Sequence, residues 1–236
     1  MHPFEMPEDY IARAIAREGR AHTCATFAPA QTALLVVDMQ NYFMTAPYLG
    51  ACPVAQQIVP NVNRVADALR SAGGTVVWIQ NLAPWESEKS WSVNRERYRP
   101  ESVPLRWGSM QRDHHGFELW PTLDVREGDA HVIKRRYSAF VQGASDIDNV
   151  LRDRGIDTLI VTGVATNVCC ESTARDAMML NYRTLMVSDA CAAATDAEHA
   201  AALGNFYLFF GDVQTSDEVV ARLASTDQSR TGSSRA

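Results

Sequence analysis

The chain has 236 residues, 46% of them hydrophobic, and its 22 Lys and Arg against 28 Asp and Glu give a formal net charge of -6 and a pI near 5.5. That length supports one large core and leaves a second full domain cramped. The acidic balance argues against a phosphate-backbone partner, which needs Lys and Arg gathered on one face, so no nucleic-acid partner is expected.

Glu5, Glu8, Asp9, Arg13, Arg17, Glu18 and Arg20 punctuate the first thirty residues. Neither a signal peptide nor a membrane span fits such a segment, and a cytoplasmic location with no membrane partner is the expectation. Within it, residues 7–19 read as a short amphipathic helix, with Tyr10, Ile11, Ala14 and Ile15 at helical spacing and Gly19 as the stop. This helix is expected to pack on the main domain or on a neighbouring subunit. The domain plan is an N-terminal helical extension (1–30), a single α/β domain (31–224) and a flexible polar tail (225–236).

The apolar run from Ala33 to Val37 ends in Asp38 and reads as a strand covered on both faces. Ile58, Val62, Val65 and Leu69 then recur at helical intervals, Gly73 and Gly74 end that helix, and Thr75–Ile79 forms a second strand. The alternation resumes with strands at 131–134, 158–162, 184–187 and 212–214 and helices at 146–154, 168–180 and 196–209. It predicts a doubly wound, mostly parallel six-stranded α/β sheet with helices on both faces. Between Asn81 and Asp129 lies a long segment of weak periodicity carrying Trp85, Trp91, Trp107 and Trp120. Either it folds over a site as a lid, or its tryptophans pin a surface loop.

The five cysteines (Cys24, Cys52, Cys169, Cys170 and Cys191) have no framework spacing, so a working thiol is a better reading than a disulfide scaffold. Asp38 follows the first strand, Lys134 ends the third and Cys169 opens the helix after the fourth. In a parallel sheet such carboxyl ends border the ligand crevice. Chemically the three suit one another: an ammonium and a helix N-terminus favour a thiolate, and a carboxylate can take the thiol proton and later return it to a leaving amine. Each also has an ordinary structural use, as turn former, surface charge or buried small hydrophobe. Spacing alone leaves both readings open.

Three segments carry a resemblance: Leu35-Val36-Val37-Asp38-Met39-Gln40, Lys134-Arg135-Arg136-Tyr137-Ser138-Ala139-Phe140, and Thr162 to Cys169 followed by Glu171-Ser172-Thr173-Ala174-Arg175-Asp176-Ala177. Their order and content resemble the isochorismatase-like cysteine hydrolase superfamily, especially its ureidoacrylate amidohydrolase-type members, over about Ala33 to Gln214. The resemblance implies a catalytic triad of Asp38, Lys134 and Cys169. It also implies a cis peptide between Val164 and Ala165 and an oxyanion hole of the Ala165 and Cys169 backbone N–H groups. Cys170 is the adjacent rival, but the family's spacing from Thr162 falls on Cys169, and a helical neighbour points about 100° away.

The implied activity is cleavage of a C–N bond in a small amide, ureide or N-carbamoyl substrate through a thioester acyl-enzyme. Two alternatives stay open: hydrolysis of a vinyl ether in the manner of an isochorismatase, with Cys169 a bystander, and a catalytically idle member that only binds partners. Relatives that hydrolyse nicotinamide carry an Asp-x-His metal motif, whereas residues 48–53 here contain neither acid nor histidine. Adjacent His114 and His115 are poorly placed to chelate one ion, so no metal and no cofactor are expected. Asn41, Phe43, Gln80 and Tyr137, all near strand ends, are the candidate substrate-binding residues. The expected partners are a small-molecule substrate and further copies of the chain, as a homodimer or homotetramer.

Overall fold

The computed structural model describes residues 1–83 and 90–233, with backbone alone from 226 onward. Trp85, part of the expected lid, lies outside the described residues. Along the chain run α1 (Glu8–Glu18), β1 (Thr32–Val37), α2 (Asn41–Met44), α3 (Val59–Ser71), β2 (Thr75–Asn81), α4 (Ser92–Arg95) and α5 (Ser102–Ser109). They are followed by β3 (Ala130–Lys134), α6 (Ile147–Arg152), β4 (Thr158–Val164), a π-helical turn (Thr166–Cys170), α7 (Glu171–Met179), β5 (Arg183–Ala192), α8 (Asp196–Phe209), β6 (Asp212–Gln214) and α9 (Ser216–Ser233). All six expected strands are present, and every pairing in the sheet order β3-β2-β1-β4-β5-β6 is parallel.

β1 has a strand on each edge and is buried at every residue, which is why its sequence is an unbroken apolar run rather than an alternating one. Successive side chains still part to opposite faces. Ala33, Leu35 and Val37 join a core layer with Leu203 and Phe206 of α8 and Ala174 and Ala177 of α7. Leu34 and Val36 join the other layer, with Val62, Val65 and Leu69 of α3 and Val219 and Leu223 of α9. The helical spacing of the α3 residues is therefore the pattern of one buried stripe.

The N-terminal helix packs on its own chain. α1 lies on α8, Gly204 leaves room there for the Tyr10 ring, and the Arg17 guanidinium sits over Phe209. α9 had no counterpart in the sequence reading, because its apolar positions Val219, Val220 and Leu223 precede a small polar stretch with no repeat. Among the described residues, no helix is long and apolar enough to cross a membrane.

Chain order reverses between β1 and β4, where one connection runs to β2 and the other to β5. There the two backbones approach closely. Gly163 has φ 114°, and a Cβ built on it would lie 2.1 Å from the Val37 carbonyl oxygen and 2.7 Å from its nitrogen. Only glycine satisfies both conditions. Gly73, at φ 88°, opens onto empty space instead.

These two glycines should therefore respond differently to alanine. Gly73→Ala is expected to lower unfolding free energy by about 1–2 kcal/mol, the usual left-handed penalty. Gly163→Ala should cost more than about 3 kcal/mol, because the strands themselves must separate. Urea midpoints of the two variants check this, and equal losses would show that the contact between β1 and β4 yields easily.

Candidate active site

Asp38 follows β1, Lys134 ends β3, and Cys169 sits in the π-helical turn after β4, so three strands deliver the three groups to one end of the sheet. Asp38 adopts the left-handed region at φ 54°, uncommon outside glycine though easiest for Asp and Asn, and its N–H donates to the Ile79 carbonyl at 2.9 Å. That turn lifts the carboxylate out of the strand line. Lys134 pairs in register with Asn81 on the edge strand and extends its ammonium past β2 to Asp38.

The Lys134 Nζ donates to Asp38 Oδ2 at 2.7 Å and to the Arg136 carbonyl at 3.0 Å, and both charged side chains are completely buried. Asp38 Oδ1 is also buried and, among the described residues, has no hydrogen-bond partner. Cys169 lies near enough to both groups for each to perturb its titration.

Burial pushes the Cys169 thiol up to about 12, and the Asp38 carboxylate adds to the rise. Burial also pushes the Asp38 carboxyl up, against the pull of the Lys134 ammonium. For Lys134, burial disfavours the charge, but the Asp38 carboxylate and the neighbouring Cys169 outweigh it and the net shift is upward. Burial thus raises both acids of the centre, while the Lys134 ammonium opposes the rise at each. The Lys134 ammonium does favour the thiolate, as expected, but burial works against it. α7 begins only at Glu171, and desolvation at Cys169 dominates.

Val164–Ala165 is a cis peptide, at the position the resemblance implied. Beside it opens a cavity of about 250 Å³, bordered by Cys169, Ala165, Val164, Phe43, Asn81, Tyr98, Arg106 and Tyr137 among others. That volume lies below the roughly 300–1,000 Å³ of sites for drug-sized ligands and suits a small metabolite. Cys170 is fully buried, its sulfur 3.8 Å from the Thr162 carbonyl, and it does not border the cavity.

Of the four candidate substrate contacts, Phe43 and Tyr137 border the cavity, while Asn41 and Gln80 do not. Asn41 donates to the His115 carbonyl at 2.9 Å, and Gln80 to the Phe117 carbonyl at 2.9 Å. Both hold the loop that crosses the strand ends. Gln40 does the same from the other side, donating to the Phe117 carbonyl at 2.9 Å while its Oε1 accepts from Asn81 N–H at 2.6 Å. In place of Gln80 the cavity receives Asn81, one residue on. Strand alternation supplied the missing signal: side chains in register share a face, and Asn81, not Gln80, is level with Lys134.

The long segment after β2 also reaches the cavity, through Tyr98 and through Arg106 of α5. None of the described tryptophans borders it. Trp107 is buried with Tyr42, Val103 and Met110, and Trp91 packs edge-on against Tyr137, 4.9 Å between ring centroids. These rings anchor the segment, and its polar residues face the site. Nothing in the sequence separates Arg106 from Arg95, Arg97, Arg99 or Arg112, so it escaped the reading.

Comparison with known proteins points the same way. The family profile of the isochorismatase domain matches residues 32–218. A ureidoacrylate amidohydrolase of Klebsiella variicola (strain At-22) is 37% identical over 205 residues, covering 79% of this chain and 84% of that protein. A crystal structure described as a cysteine hydrolase from Pseudomonas syringae pv. phaseolicola 1448A superposes with a TM-score of 0.74 at 29% identity, over 84% of this chain and 95% of the other. The N-carbamoylsarcosine amidase of Thermoplasma acidophilum gives a TM-score of 0.63 at 30% identity, over 79% of this chain and 97% of that one. With that profile spanning all six strands, this chain belongs to the isochorismatase family of hydrolases.

Proposed function

We propose that the chain is a cysteine-dependent amidohydrolase that cleaves a C–N bond of a small amide, ureide or N-carbamoyl substrate through a thioester at Cys169. The observation that carries this reading is the buried contact of Lys134 with one oxygen of Asp38 while, among the described residues, the other oxygen has no hydrogen-bond partner, beside a thiol that burial raises. Relatives named ureidoacrylate amidohydrolase and N-carbamoylsarcosine amidase support the C–N bond as the target.

In this mechanism Asp38 Oδ1 takes the Cys169 proton as the sulfur forms its bond to the substrate carbonyl carbon. A thiol at about 12 gives up almost no proton to water at neutral pH, so transfer to Asp38 accompanies attack. The raised Asp38 is a stronger base than an exposed carboxylate, which suits that task. The backbone N–H groups of Ala165 and Cys169, both at the cavity wall, receive the developing oxyanion. The tetrahedral adduct collapses, the C–N bond breaks, and the leaving nitrogen takes the proton from Asp38. Water then attacks the thioester, gives one proton to Asp38, and that proton returns to the departing sulfur. The products are a free amine or ammonia and a carboxylate or carbamate. Lys134 stays protonated throughout and holds Asp38 in place.

Cys169→Ser should lower amide or ureide turnover by about 10³-fold or more, and rapid quench followed by intact-mass measurement should show an acyl adduct on Cys169 of the unaltered enzyme. Alkylation of Cys169 that spared turnover, or a Cys169→Ser variant still fully active on a vinyl ether, would overturn the covalent mechanism.

The pH profile follows from the same centre. Activity requires ionised Asp38, so kcat/KM falls as pH drops through its folded-state value, and because burial raises that value the acid limb lies above the ordinary aspartate range near 3.9. No rise near pH 8.5, where a free cysteine would ionise, is expected. A profile that climbs there instead would mean a preformed thiolate is the working species.

A further inference from the structure

Behind the turn that carries Cys169 lies a buried polar pair that the mechanism above does not use. His199, in the first turn of α8, is completely buried, and its Nδ1 meets the Thr166 hydroxyl at 2.9 Å. Thr166 is completely buried too, and it opens the π-helical turn that holds Cys169. Along the chain it stands between Ala165 and Cys169, the two residues whose N–H groups the mechanism assigns to the oxyanion. The turn is closed on itself by the N–H groups of Val168 and Cys170, both donating to the Ala165 carbonyl at 3.1 Å. Those bonds set its shape, whereas the bond to His199 sets where it stands against α8.

Burial pushes the His199 imidazole down to about 4, and neighbouring His2 adds to the fall, so the ring is neutral at ordinary pH. A neutral ring exchanges one hydrogen bond with the hydroxyl and places no charge behind the site. An imidazole buried only to fill space is a costly choice, because an apolar side chain fills it with no polar group to satisfy. The ring is held on its face as well. The His2 imidazole stacks on it, with 4.5 Å between centroids and 25° between planes, and Phe4 meets it edge-on at 5.8 Å. His2 is itself pinned, with Nδ1 2.6 Å from Asp196 Oδ1 and Nε2 accepting from the Ala193 N–H at 3.0 Å. The chain before α1 thus reaches, through two rings, the turn that bears the sulfur.

We infer that His199 is a positioning residue: through Thr166 it fixes the turn on which the Ala165 and Cys169 N–H groups face the oxyanion, and the segment before α1 supports it through His2. This role presupposes Cys169 as the nucleophile of the proposed function. A misplacement of about 1 Å in groups of this kind costs up to about 100-fold in rate. Attack on a carbonyl carbon needs the two donors, because charge gathers on the oxygen, whereas displacement at a saturated carbon does not. His199 therefore matters to one reaction of Cys169 and not to the other.

Two reagents for the same sulfur separate these cases. p-Nitrophenyl acetate transfers its acetyl group to Cys169: the S–C bond forms, the thiol proton passes to Asp38 and p-nitrophenolate departs, so its release reads acylation. Iodoacetamide alkylates the same sulfur with loss of iodide and forms no oxyanion. Rates are read by absorbance and by peptide mass at Cys169, alongside the thermal midpoint. Thr166→Val, which keeps the shape and removes the hydroxyl, and His199→Leu are expected to slow acetylation about 10- to 30-fold while alkylation changes by less than about 3-fold. His199→Asn, whose amide offers a donor and an acceptor at the reach of Nδ1, should recover most of the acetylation rate. His2→Ala should lower that rate about 3-fold, and His2→Phe, which puts a ring back on His199, should restore it. Thr166→Val remains the test if His199→Leu folds poorly. Acetylation untouched in folded Thr166→Val, or both reactions slowed alike, overturns the positioning role. A His2→Ala protein as fast as the unaltered one overturns the part given to the chain before α1. An unaltered enzyme that iodoacetamide labels at Cys169 but p-nitrophenyl acetate never acetylates overturns the nucleophile reading itself, and the positioning role with it.

Discussion

The buried contact between Lys134 and Asp38 is the constraint around which the functional end of this molecule is arranged. It joins the edge strand to the central one across β2 with both charges out of solvent. Removing one partner of such a pair generally costs about 3–5 kcal/mol, because the other is left buried and unmatched. The ammonium occupies one carboxylate oxygen, and among the described residues the other has no hydrogen-bond partner, so the same contact that makes burial tolerable leaves one oxygen of Asp38 open. The Arg136 carbonyl, accepting from the same ammonium, ties the segment after β3 to the pair and brings Tyr137 to the cavity wall.

Two tiers of structure serve this centre. The sheet sets the positions of Asp38, Lys134 and Cys169 through main-chain register, with Gly163 allowing β4 to press against β1. The segment between β2 and β3 packs Val103, Trp107 and Met110 against Tyr42 of α2 in a small separate core. From that platform it sends Tyr98 and Arg106 to the cavity. Gln40, Asn41 and Gln80 bind the loop backbone at residues 115–117 and hold the two tiers together.

Much of this was legible in the sequence because it depends on periodicity and punctuation. Continuous apolar runs gave the strands, one buried stripe gave α3, and Gly19, Gly73 and Gly155 marked real chain reversals at positive φ. The placement of Asp38, Lys134 and Cys169 at strand ends was readable for the same reason. What escaped depends on information that periodicity lacks. The choice of Asn81 over Gln80 turns on register between strands far apart in sequence. Arg106 is distinguished by its place at the cavity wall over the Tyr98 ring, which no local pattern encodes. The upward push of burial on the Cys169 thiol was not legible either, because that penalty is a property of the folded surroundings.

The close backbone approach at Gly163 has a further consequence for how such a molecule can change over time. With main chain meeting main chain there, no side chain sits between β1 and β4 whose replacement could retune their separation. The distance between the two central groups is thereby withdrawn from ordinary amino-acid exchange. Residues 90–110 meet the cavity through side chains instead, with Tyr98 and Arg106 at its wall and Val103, Trp107 and Met110 packed on Tyr42 behind them. Side-chain exchange is channelled accordingly: the strand spacing beneath Asp38 and Cys169 is set by main chain, and the cavity wall formed by Tyr98 and Arg106 is where a changed side chain reshapes the pocket.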